Sequence, residues 1–203
     1  LNALDSIISI HKIGSGDLTN YPLIKEIIST GKPLIISTAM SSMKEVEETV
    51  NFIENTQPEY RDSNKLAILQ CVAMYGEPED QYANLSVISS LRQKFSNHAI
   101  GYSDHTIGIS TPIAAIAMGA KIIEKHFTLN KKFKGPDHFL SMDENDTTEA
   151  IKTLQSYNKI VGDGYINPRG RELNSKFKFR RSIVAIKNIK KGTHITSDMI
   201  GLK

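Results

Sequence analysis

The 203-residue chain is 39% hydrophobic, carries a formal net charge of +3 and has one cysteine, Cys71. Its composition is that of a soluble globular protein: no apolar run approaches the about 20 residues that cross a bilayer, and a lone cysteine cannot close an internal disulfide. A cytoplasmic protein without a membrane partner is therefore expected, with Cys71 packed in a strand, and the start at Leu1 rather than Met reads as a fragment.

In chain order, strand-length apolar runs alternate with amphipathic helical segments. A strand ends in Ile10-His11-Lys12-Ile13-Gly14-Ser15-Gly16-Asp17, and Asn20-Tyr21-Pro22 then opens a helix carrying Leu23, Ile24, Ile27 and Ile28, closed by Gly31. Residues 33–38 form a buried strand, Ser42 caps a helix bearing Val46, Val50 and Ile53, and Leu66 to Val72 is the next strand. Leu85, Ile88 and Leu91 mark a helix. Ile100 to His105 and Lys121 to Thr128 are two further strands, separated by Thr111-Pro112 and an apolar stretch that suits a crossover helix. Residues 147–161 supply a last helix, so the pattern is five βα units.

The charge changes sign near Pro168: residues 1–167 hold 15 Lys/Arg against 20 Asp/Glu, whereas residues 168–203 hold 10 against 2. Arg169, Arg171, Lys176, Lys178, Arg180 and Arg181 suit an anion-binding surface, but their interleaving with Glu172, Asn174 and Ser175 suits a solvated linker, the reading adopted here. No nucleic-acid partner is expected, since no basic/aromatic RNA motif, Walker A loop or zinc finger is present.

Near-continuous apolar strands alternating with helices indicate a parallel sheet. A doubly wound sheet would carry a Gly-rich loop after its first strand; here polar residues recur at the C-terminal ends of all five strands, as around the rim of a (β/α)8 TIM-type barrel. Five units cannot close a barrel, so three strands are expected before Leu1. The strand period of two places Ser103, His105, Glu124 and His126 at one barrel mouth, where two imidazoles and a carboxylate suit Mn2+ or Zn2+ with positions left open. His138 has no such partner on a strand end, although its polar turn Gly135-Pro136-Asp137-His138 follows just after the site. His11, His98 and His194 have no such partner in the pattern. Lys12 with Ser15, Ser37 with Thr38, and Ser103 offer a cation and hydroxyl donors for a phosphate, although Lys12 and Ser15 reach one face only if the chain bends at Gly14.

Five motifs carry a resemblance: Lys12-Ile13-Gly14-Ser15-Gly16-Asp17, Ile36-Ser37-Thr38-Ala39-Met40, Gly101-Tyr102-Ser103-Asp104-His105-Thr106, Glu124-Lys125-His126-Phe127-Thr128 and Gly135-Pro136-Asp137-His138. In order and spacing the chain resembles the sialic acid (N-acetylneuraminate) synthase family over nearly its whole length. The resemblance implies strands four to eight of the barrel over residues 1–165, a basic linker over 166–180 and, over 181–203, the truncated start of an antifreeze-like domain. In the family that domain reaches over the partner's active site in a domain-swapped homodimer. The implied reaction condenses phosphoenolpyruvate with an N-acylated hexose, giving a nine-carbon 2-keto-3-deoxy acid and phosphate. His105 and His126 would hold Mn2+ or Mg2+ and Glu124 would transfer a proton. Lys12, Ser15, Ser37 and Ser103 match positions that hold phosphoenolpyruvate, and Asp17, Tyr75 and Asp137 match sugar-binding positions.

One strand departs from the pattern. Where common members read His-Cys-Thr with Tyr-Pro soon after, this chain reads Gln70-Cys71-Val72-Ala73-Met74-Tyr75-Gly76-Glu77-Pro78, and Ala73 replaces an asparagine that some members place on phosphoenolpyruvate. Because Tyr75 flanks the sugar position, a modified acceptor such as a legionaminic or pseudaminic acid precursor is expected. Two other readings stay open: a Schiff-base aldolase using Lys12 or Lys125, with parity turning Lys125 away from the mouth, and a non-catalytic carbohydrate-binding or assembly module. The 203-residue piece alone is expected to be inactive.

Overall fold

A computed structural model describes residues 6–62, 64–74 and 80–203. The chain divides into two compact units, residues 1–159 and 160–203. Among the described residues the first contains five parallel strands in strictly sequential order: β1 (His11–Ile13), β2 (Leu34–Ser37), β3 (Leu66–Cys71), β4 (Ala99–Asp104) and β5 (Ile123–Lys125). Helices α1 (Tyr21–Ile28), α2 (Met43–Thr56), α3 (Ser86–Lys94) and α4 (Ser110–Ala117) join successive strands, and α5 (Glu144–Val161) follows the last. Right-handed crossovers between strands laid down in sequential order put the four connecting helices on one face. A doubly wound sheet instead reverses its strand order at a switch point. The observed order decides for the barrel-type architecture.

The alternation of each strand separates two environments. Ile13, Leu34, Ile36, Leu66, Ile68, Ile100 and Tyr102 lie in the buried core with Ile24 and Ile28 of α1, Val46, Val50 and Ile53 of α2, and Ile88 and Leu91 of α3. Each of these strand residues is at most 2% exposed. The intervening residues point to the opposite, inner face. There Gly101 is packed so closely that a Cβ would meet Leu69 Cδ2 at 2.4 Å and the Ile122 carbonyl at 2.6 Å, so only hydrogen fits.

Local sequence accounts for the helix ends. The Asn20 side chain accepts a hydrogen bond from the Leu23 amide, with Pro22 in the first turn of α1 where no amide partner is needed. Gly31 takes φ +69°, the left-handed conformation that turns the chain into β2. Ser42 and Glu45 form a reciprocal capping box at α2. Strand β5 is shorter than the expected 121–128, but Phe127 forms an isolated parallel bridge with Met142, so the chain returning from the following loop lies beside the continuation of β5.

The second unit contains α6 (Glu172–Phe179), which occupies part of the stretch expected as a linker. It also contains an antiparallel pair, β6 (Ile183–Ala185) with β7 (Ile200–Leu202). Reciprocal Ser182–Lys203 backbone bonds of 2.8 and 3.0 Å extend that pair. Among the described residues no helix is long and apolar enough to cross a membrane.

Candidate active site

Register brings the polar inner-face residues into line. Cys71 pairs with Ser103 and Ser103 with Glu124, placing three side chains in one row across β3, β4 and β5. Ser103 Oγ donates to Glu124 Oε1 at 2.6 Å. Lys12, on β1 at the far edge, lies 3.5 Å from Glu124 Oε2. In a flat sheet β1 and β5 would be roughly 19 Å apart, beyond the combined reach of the two side chains. The ion pair therefore records the curl of the sheet, which closes one side of a half-barrel and gathers its edges at the C-terminal rim.

The expected bend after Lys12 is present. Residues Ser15–Asp17 form a short 3-10 turn following Gly14, and Ser15 Oγ accepts the Ala39 amide at 3.0 Å. Cys71 is the register partner of Ser103, and Ser15, Lys12 and Glu124 all act on its thiol, so Lys12, Ser15, Cys71, Ser103 and Glu124 surround one space. Ser37, at the end of β2, is 2% exposed and its hydroxyl has no hydrogen-bond partner among the described residues. Such a buried hydroxyl is unusual unless a ligand or water completes it.

His105 and His126 follow β4 and β5 directly. Their ring centroids are 5.2 Å apart with planes tilted by 59°, and Cys71 Sγ lies 3.9 Å from His105 Nδ1. Burial lowers the His105 pKa, with the neighbouring His126 acting in the same direction and Asp104 and Glu124 opposing. Burial raises the Cys71 thiol, with the neighbouring Ser103 and Ser15 hydroxyls acting in the opposite direction. The Gly135–His138 loop adds Asp137, whose Oδ2 is 3.8 Å from His126 Nδ1. His138 bonds Thr128 Oγ1 at 2.8 Å, holding that loop to the end of β5. Among the described residues no group of three or more His, Cys, Asp and Glu side chains is arranged to hold a metal ion.

Of the residues expected at a sugar, Asp17 accepts from Asn20 Nδ2 at 3.0 Å, at the entrance to α1. Tyr75 lies outside the described residues. A cavity of about 550 Å³ lies between the ends of β2 and β3 and helices α2 and α3, lined by Thr38, Met43, Val46, Gln70, Cys71 and Leu91. A larger one of about 580 Å³ lies at the other end of the strands, near Arg92 and Lys121, away from the histidine pair.

Sequence reasoning treated Cys71 as mere packing, although its strand position makes it a wall of the site. It also passed over Asp104, which lies behind the site. Asp104 is fully buried on the helix-facing side and accepts hydrogen bonds from the Thr106 amide and hydroxyl and from Lys125. The signal available was the pairing of an acidic and a basic residue, each immediately before a histidine.

Comparison with known proteins places this geometry. The chain is 42% identical to an uncharacterized protein of Methanocaldococcus jannaschii over 95% of its own length and 55% of that protein's. It is 37% identical to the N,N'-diacetyllegionaminic acid synthase of Campylobacter jejuni, covering 91% of this chain and 54% of that one. The crystal structure of N-acetylneuraminic acid synthetase from Leptospira borgpetersenii, in complex with citrate, superposes with a TM-score of 0.75 at 31% identity over 89% of this chain and 62% of that one. The chain thus spans about half the length of the curated relatives it matches. With the NeuB family model matching residues 1–165, and with a sequential, curled parallel sheet bearing its polar residues at one rim, this chain belongs to the NeuB family of sialic and legionaminic acid synthases.

Proposed function

We propose that the protein containing this chain is a nonulosonic acid synthase that condenses phosphoenolpyruvate with an N-acylated hexose. The observation that carries the reading is the convergence of Lys12, Ser103 and Glu124 at the rim that also bears His105 and His126. An anion and a carbonyl compound could be held there side by side.

The pair fits a divalent metal by donor chemistry, since burial favours the neutral, ligating form of the His105 imidazole and His126 stands in contact range. Two protein ligands leave positions open for substrate. Mn2+ or Mg2+ held by His105 and His126 would supply Lewis-acid polarisation of the acceptor aldehyde. Lys12 supplies positive charge to the phosphate or carboxylate of phosphoenolpyruvate, and Ser15, Ser37 and Ser103 supply hydroxyl donors. The Ser37 hydroxyl, without a partner among the described residues, supports that role. Glu124, between Ser103 and Lys12, is placed to hold or transfer a proton as C3 of phosphoenolpyruvate bonds to the aldehyde carbon, water adds at C2 and phosphate leaves. Asp17, Tyr75 and Asp137 are assigned to the sugar.

The departure from the common pattern over Gln70 to Pro78, with Tyr75 beside the sugar position, favours a diacetamido-trideoxy hexose over plain N-acetylmannosamine as acceptor. Residues 1–165 are assigned to the synthase barrel, 166–180 to a linker and 181–203 to the start of an antifreeze-like domain, in a cytoplasmic, domain-swapped homodimer. A Schiff base at Lys125 conflicts with its burial against Asp104. Lys12, 30% exposed at the rim, is the lysine that borohydride trapping with pyruvate would mark instead.

The test is phosphate release by the full-length protein supplied with phosphoenolpyruvate, Mn2+ and each acceptor, with the product mass determined. Acceptor-dependent release, faster with the diacetamido-trideoxy hexose, is expected. Release with neither sugar would overturn the activity, and a preference for N-acetylmannosamine would overturn the acceptor assignment.

A further inference from the structure

We propose that Asp104 and Lys125 are positioning residues: a buried ion pair that ties together the two strand ends carrying His105 and His126 and sets the gap between the imidazoles. The inference rests on reading that histidine pair as metal ligands, and it concerns what holds the pair in place.

Asp104 and Lys125 are register partners on adjacent strands, and each immediately precedes one of the histidines. Because successive residues point to opposite faces, His105 and His126 turn inward as Asp104 and Lys125 turn outward, beneath the helices. Their side chains are 0% and 7% exposed. Asp104 Oδ1 accepts the Thr106 amide at 3.0 Å, and Oδ2 accepts the Thr106 hydroxyl at 3.2 Å together with the Lys125 ammonium. Lys125 also donates to the Thr106 carbonyl. These bonds hold the backbone on both sides of His105 and fasten it to the residue before His126.

A pair so placed is poorly explained by stability alone. Desolvating two charges cancels most of their attraction, and apolar residues of similar volume commonly serve a core as well or better. What apolar residues cannot do is fix the direction of the turn at 104–106, which several directional hydrogen bonds do here. Groups that orient metal ligands from behind typically change metal affinity roughly 10- to 100-fold when removed.

Each single substitution would leave a buried charge uncompensated, so the informative variant is the double replacement Asp104→Asn with Lys125→Met, which removes both charges at nearly constant volume. Its melting temperature, its Mn2+ affinity by electron paramagnetic resonance titration and its imidazole 15N shifts would be measured against the wild type. Near-native melting with Mn2+ affinity reduced roughly tenfold or more, and displaced His105 and His126 resonances, is expected. A folded double variant with wild-type affinity and unmoved resonances would overturn the proposal. So would a double variant that does not fold, because the pair would then act through stability. Failure of the metal reading is separable: a wild-type protein that binds no Mn2+ contradicts that reading alone, and the imidazole shifts still decide whether the pair positions the rings.

Discussion

The two faces of the five-stranded sheet are made by alternate residues of the same short strands, yet they are built for opposite purposes. On the helix-facing side Leu34, Ile36, Leu66, Ile68 and Ile100 form a continuous apolar layer with α1, α2 and α3. On the inner side Ile35, Ala67, Leu69, Ala99 and Gly101 give way, within the last residues of their strands, to Ser37, Cys71 and Ser103. The difference teaches how the molecule can carry a polar site inside a sheet. Burial on one face supplies the stability, and the rim of the other is left free to hold charges and an unsatisfied hydroxyl.

Breaking the apolar face should produce the largest effect. Ile68→Ala, at a position 0% exposed, should cost about 2–5 kcal/mol, read from the denaturant midpoint. The folded fraction should still bind ligand as before, because no side chain at the rim is altered. A smaller, pH-dependent effect belongs to the inner face. Burial and His126 lower the His105 pKa, against Asp104 and Glu124, so the unfolded chain takes up a proton before the folded one does. That contribution to stability is complete above about pH 6.5 and is lost as pH falls through the folded value. Melting temperatures at pH 7.5 and 5.5 should differ less in His105→Gln than in the wild type; an unchanged difference would remove His105 as the source. The smallest effect on stability belongs to Ser37→Ala, which deletes a hydroxyl without a partner among the described residues and should change folding by less than about 0.5 kcal/mol. The same variant should bind phosphoenolpyruvate more weakly by calorimetry. Ile68→Ala and Ser37→Ala thus separate the faces: one loses stability and keeps binding, the other does the reverse.

Much of this was legible before any coordinates. The strand and helix alternation, the Asn20 and Ser42 caps and the turn at Gly31 are local features, and local chemistry decided them. Strand parity also placed Ser103 with Glu124 and turned Lys125 away, because a period of two survives without knowledge of the tertiary fold. What depended on register was hidden. Cys71 became a neighbour of His105 only once Cys71 was known to pair with Ser103, and the Lys12–Glu124 contact required the curl of the whole sheet. The early start of α5 at Glu144 and the helix α6 within the basic stretch were likewise missed, as polar segments carry little periodic signal.

The proposed hold of a divalent metal by the two rim histidines is checked by Mn2+ binding to the full-length protein. Wild type is compared with the double variant His105→Ala, His126→Ala in a titration followed by electron paramagnetic resonance. Saturable binding of one Mn2+ per chain in the wild type, lost in a variant that retains its fold by circular dichroism, is the predicted result. Equal binding by both proteins, with undiminished phosphate release, would contradict the account.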